Sequence, residues 1–204
     1  MTTIVSPFKT FGTFAVAALL VAAVPHSRCL AQNKQAKPDQ HAHMAQRQQS
    51  AEDQSNAETL LNIVRQATDK FQDVKAAEAA GYALQFGCVS GDDSGAMGLH
   101  YVNGELLNRG VLDPTRPQIV IYEPGADGTL QLIGADFLVI ADQWNASNPE
   151  PPQLMGQLFH LFTSPNRFGL PAFYTLHVWA WKPNPNGAFV NWHPDVSCQS
   201  FTAQ

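Results

Sequence analysis

The stretch AFYTLHVWAWK, from Ala172 to Lys182, decides the fold of this chain. Read as a strand, it lines Phe173, Thr175, His177, Trp179 and Trp181 along one face, because successive side chains point to opposite sides. Tyr174, Leu176, Val178 and Ala180 then face the other way, so both sides are largely apolar and the strand is expected to be covered on both. A single imidazole in such surroundings needs a partner, which can be a metal, a ligand or a backbone carbonyl.

Downstream, PNPNG (Pro183 to Gly187) ends the strand in a turn that leads through Ala188–Trp192 to the final cysteine. Upstream, the apolar run Ile119 to Tyr122 and the longer TLQLIGADFLVI (Thr129 to Ile140) are separated by PGADG and read as a hairpin. GLHYVN (Gly98 to Asn103) is a shorter extended piece, and GCVSGDDSG (Gly87 to Gly95) reads as a loop. Gln153 to Phe162 is apolar, but too short for its period to separate helix from strand. Earlier still, Leu60, Leu61, Val64, Ala67, Phe71 and Val74 recur at helical spacing, with Arg65, Asp69, Lys70 and Asp73 for the wet side. Ser55 and Glu58 have the form of a capping box, and Gly81 stands where a left-handed C-terminal residue belongs. The expected architecture is α+β: one N-terminal amphipathic helix packed on a strongly curved antiparallel β-sheet, a partial barrel.

The first residues read as an address. Lys9 supplies a positive flank, FGTFAVAALLVAAV (Phe11 to Val24) is an apolar core of secretory length, and small residues lead to a cleavage after Ala31. The apolar run stops at Pro25, short of the ~20 residues a bilayer core demands. Residues 1–31 are therefore expected to be a signal peptide, 32–56 a polar disordered linker, and 57–204 a single α+β domain of an exported protein, periplasmic or secreted, with no stable membrane insertion after cleavage.

Loss of Cys29 with the signal leaves Cys88 and Cys198, an even pair in an exported chain, which is most simply one disulfide. A closed loop of about 110 residues corresponds to roughly 4–5 kcal/mol in the chain-entropy treatment. Removal of Lys9 and Arg28 takes the formal net charge from −5 to −7. With the remaining cations scattered, a nucleic-acid partner is not expected, and the sequence names no protein partner.

Chemistry is sought where polar residues interrupt apolar strands. His100, Glu123, Asp136 and His177 meet that description, with His193 a further case. Two imidazoles and one or two carboxylates are donors for a divalent ion: zinc, iron, manganese or copper. Asp136 shares its phase with Leu130, Leu132, Leu138 and Ile140, and Gly134 leaves room beside it. Trp179 and Trp181 are candidates for lining a pocket for a flat ligand, with core packing as the alternative. No phosphate-cradling glycine pattern and no Gly-x-Ser-x-Gly elbow occurs.

GAMGLHYV (95–102), Tyr122-Glu123-Pro124, the strand through Asp136, LHVWAWKPNPNGAF (176–189) and WHPDVSC (192–198) appear in this order. Together they resemble a family of exported bacterial domains with no assigned function, over a span from ATDKFQDVKAAEAAGY (67–82) to the end. The resemblance implies export and supplies no activity. It also implies Glu where this chain has Asp136, a shorter side chain with the same charge and a different reach. The resulting expectation is a domain that binds a metal ion or small ligand through His100, His177 and Asp136, supported by Glu123. The alternatives are a structural or protein-interaction module without metal, and a metal-dependent hydrolase or oxygenase.

Overall fold

Alternation along the aromatic stretch persists in the computed structural model, which describes residues 50–91 and 93–201. In chain order the elements are α1 (Ala51–Thr68), α2 (Val74–Ala79), β1 (Tyr82–Ser90), β2 (Ala96–Asn103), α3 (Gly104–Arg109), β3 (Ile119–Pro124), β4 (Leu130–Ile140), α4 (Ala141–Asn145), β5 (Gln153–Leu154), β6 (Gln157–Leu158), β7 (His160–Phe162) and β8 (Phe173–Val178). Six strands form one antiparallel sheet in the order β1-β2-β3-β4-β8-β7, and β5 pairs only with β6. The sheet is open, with β1 and β7 as its edges, so the partial barrel expected from sequence is corrected to an unclosed sheet. The signal peptide and the linker up to residue 49 lie outside the described residues.

One face of the sheet is covered by the N-terminal helices. Leu60 and Val64 of α1 are fully buried against Phe137, Val139, Leu176 and Val178, a gain of about 1.5–3 kcal/mol for each such side chain. Further along, Phe71, Ala77 and Tyr82 seat on Leu99, Tyr101, Tyr122 and Leu132. Polar groups in this layer are matched. The Tyr122 hydroxyl donates to the Phe71 carbonyl at 2.7 Å, and the Trp181 indole N–H donates to the Thr68 hydroxyl at 2.9 Å.

Three boundaries differ from the sequence reading. The helix starts at Ala51, with Ser50 and Asp53 forming the capping box, so residues 51–56 are helical and not linker. It also breaks: a 3-10 turn at Asp69–Phe71 lets Phe71 drop into the core before Asp73 caps α2 by accepting from the Lys75 N–H. Gly87 to Ser90, read as loop, belongs to β1; two extra residues between Gln85 and Cys88 bulge the strand and hide its alternation. Conversely, β8 ends at Val178, four residues before Lys182, because the Trp181 and Lys182 amides both turn to the Ile133 carbonyl.

Cys88, immediately after the β1 bulge, is bonded to Cys198, with the Cα atoms 5.6 Å apart. Among the described residues no helix is long and apolar enough to cross a membrane.

Candidate metal centre

The sheet face away from the helices carries the polar residues. On this side Ile119, Ile121, Leu138, Phe173 and Trp179 build a second apolar layer, and His100 (β2), Asp136 (β4), Thr175 and His177 (β8) are buried within it at 6 % exposure or less. Strands β2 and β8 are three spacings apart, about 14 Å on a flat sheet. The Nε2 atoms of His100 and His177 are nevertheless only 3.3 Å apart, so the two side chains reach toward each other across β3 and β4. Two glycines allow the strands to approach. A Cβ on Gly98, at φ +90°, would lie 2.6 Å from the Tyr122 carbonyl oxygen, and one on Gly134 would lie 2.5 Å from that of Val178.

Asp136 and His177 are directly opposite one another across β4 and β8. The Thr175 hydroxyl donates to Asp136 Oδ1 at 2.6 Å, which leaves Oδ2 facing His177 Nδ1 at 3.6 Å. That separation is too long for a hydrogen bond, and Nδ1 of His177 is buried with no bonded partner, as is Oδ1 of Asn191. His100, Asp136 and His177 each bring one ligand atom to a group whose members lie within 4.8 Å of one another, and such a group could hold a metal ion.

Proton positions follow from the neighbours. His100 Nδ1 lies 3.2 Å from the Gly98 carbonyl, which can only accept, so Nδ1 carries the proton and Nε2 a lone pair. His177 Nδ1 faces the Asp136 carboxylate, and the Asn191 carboxamide also favours a proton on this ring. His177 therefore has two tautomers open to it: Nδ1–H toward Asp136, or Nε2–H donating to His100 Nε2. In the first of these, two lone pairs face each other across 3.3 Å, an arrangement that a cation between them would relieve.

That cation is not a retained proton at neutral pH. Burial, with the neighbouring His177 adding to it, pushes His100 down to about 4, and burial pushes His177 down to about 3, with His160 acting the same way. Burial acts oppositely on Asp136, raising its carboxyl to about 6 against the pull of His100 and the Thr175 hydroxyl. Near pH 7 the group therefore offers two neutral imidazoles and one carboxylate, the protonation state that metal ligation requires.

The remaining sequence candidates sit elsewhere. Glu123 is not part of the group: Lys182 Nζ binds its Oε2 at 2.6 Å and the Ser197 N–H its Oε1 at 3.1 Å, so it ties down the C-terminal segment. Trp179 is on the site face, but its N–H donates to the Val190 carbonyl at 2.6 Å and its ring packs edge-on to His193. Trp181 has turned to the helix side. His193 is fixed as a neutral ring, accepting the Asp195 N–H at Nδ1 and placed at Nε2 against the Pro183 carbonyl. Sequence reasoning gave no role to Thr175, although it lies two residues from His177 in the same phase, and none to Asn191 or Phe86.

A cavity of about 30 Å³ lies against His100, Asp136, Thr175 and His177, walled otherwise by apolar side chains that include Phe162, Phe168 and Phe173. It exceeds the ~10–15 Å³ that one water requires. Comparison with protein-family models, curated proteins and solved structures finds no match for this chain in any of the three.

Proposed function

We propose that this is an exported domain that holds one divalent metal ion between His100 Nε2 and His177 Nε2, with Asp136 providing the negative charge and fixing the His177 ring through Nδ1. The observation that carries the reading is the 3.3 Å separation of the two nitrogens. Metal–nitrogen bonds of about 2.0–2.1 Å at a tetrahedral angle place two ligand nitrogens about 3.3 Å apart. A carboxylate behind a ligating imidazole, itself held by the Thr175 hydroxyl, is the usual support of such a ligand. Zinc, iron, manganese and copper all accept this donor set. The disulfide agrees with an oxidising, extracytoplasmic compartment.

The test is metal analysis of untagged protein beside His100→Ala and His177→Ala. One equivalent in the wild type and none in either variant is the expected result. A wild type without metal after loading and desalting would instead favour the structural-module alternative. A metal-dependent hydrolase or oxygenase is the second reading, favoured by the cavity beside the imidazoles, which leaves space for a water at the ion.

A further inference from the structure

A second hollow, of about 250 Å³, adjoins the metal-side cavity; Phe86, Ile119, Leu138 and Leu170 wall both. The two differ in character. The smaller ends on the imidazoles and Asp136, whereas the larger is bordered by aliphatic and aromatic side chains with Gln85 at its edge. Among the described residues Asp136 is the only acidic side chain lining either one.

Charge decides what fits the inner end. A divalent ion with two neutral imidazoles and one carboxylate keeps one net positive charge, and an unbalanced charge among apolar walls is costly. A monoanion at the open coordination positions removes that cost. The Arg167 guanidinium lies over the ring of Phe168, one wall of the smaller cavity, at 6.0 Å and donates to the Ser90 carbonyl. Phe86 completes the rim. It is 48 % exposed, stands at φ +65° in the β1 bulge, and meets Phe168 edge-on at 5.5 Å. A non-glycine residue held left-handed is strained, and such strain is concentrated where side chains clamp ligands.

We infer that the site binds a small amphipathic monoanion, a carboxylate or phenolate with an apolar tail, whose charged oxygen reaches the ion while its tail lies in the hollow between Phe86, Leu138 and Leu170. This rests on the metal reading above and specifies the ligand class of that centre. The anion's oxygen coordinates the ion in place of water, and no covalent bond is made or broken.

Cobalt(II)-loaded full-length protein, whose visible spectrum reports the ion's own ligands, provides the test. Titration is with benzoate, with acetate as the same head without a tail, and with benzylamine as the same ring with a cationic head. Benzoate is expected to change the cobalt spectrum with an affinity at least tenfold above that of acetate, and benzylamine to leave it unchanged. Leu107→Trp, at a position that lines the larger hollow and not the metal-side cavity, is expected to keep the cobalt spectrum and weaken benzoate at least tenfold. A normal cobalt spectrum that benzoate does not move, or moves no better than acetate, overturns the ligand class and leaves the metal centre standing. Failure to load cobalt removes both.

Discussion

His100 and His177 present Nε2 to Nε2 at 3.3 Å although 77 residues and two intervening strands separate them. His100 has its proton on Nδ1, toward Gly98 O, so its Nε2 carries a lone pair that a His177 N–H or a metal ion can take up. Removing either buried ring should cost the apo-protein about 2–5 kcal/mol, the usual range for a large-to-small core change. Metal should stabilise only the wild type, by about 4 kcal/mol at a thousandfold excess over its dissociation constant. Thermal melts with and without metal check this; equal metal-induced shifts in wild type and His177→Ala would remove His177 from the centre.

Asp136→Asn separates the charge of the carboxylate from its shape. The amide can still accept from Thr175 Oγ1, 2.6 Å from Oδ1 in the wild type, but no longer holds His177 Nδ1–H by charge. A 10–100-fold weaker metal affinity with stoichiometry retained is expected. Complete loss, equal to that in the histidine variants, would instead make Asp136 a direct ligand. Competition titration against a chromogenic chelator distinguishes the two outcomes.

Acid should destabilise the metal-free protein. His100 and His177 sit at about 4 and about 3 when folded, against 6.5 when exposed, so over that interval the unfolded chain binds protons that the folded chain refuses. Their contribution is fully present above about pH 6.5 and is lost as pH falls toward 4. Asp136, held up at about 6 when folded, works the other way: its burial cost is relieved as pH falls through 6. Two imidazoles outweigh one carboxyl, leaving a net loss of up to about 1.4 kcal/mol per pH unit between roughly pH 6 and 4. Melting temperatures recorded across this range should fall with acid, and a level or rising profile would contradict the assignment of two neutral buried rings.

Glu123→Gln should leave metal content unchanged and lower stability by about 1–2 kcal/mol, because it discards a charge-assisted bond to Lys182 and weakens the one to the Ser197 amide. Denaturant melts together with metal analysis test both halves of that expectation. Loss of metal with stability intact would return Glu123 to the site.

Much of this arrangement was legible in the residues, for identifiable reasons. Period-two alternation placed Thr175, His177 and Trp179 on one face, and the unmatched polarity of His100 and Asp136 in apolar strands marked them as partners. The Cys88–Cys198 pairing needed only an even count. What escaped was set by backbone departures that leave little trace in composition. The extra residues at Phe86 and Gly87 disguised the second half of β1 as loop, and the turn of the Trp181 amide onto Ile133 carried that indole to the opposite face. Glu123 and Asp136 look alike as polar interruptions. Only the tertiary placement of Lys182 and Ser197 separates an anchor from a member of the site.

Because the two facing nitrogens come from β2 and β8, no local segment can bring them together, and the pair exists only once β3 and β4 are seated between those strands in register. On the proposed metal reading, ion capture is a timestamp for completed assembly. In a refolding experiment the moment of metal uptake would date the assembly of the sheet, independently of when the helices acquire their ellipticity.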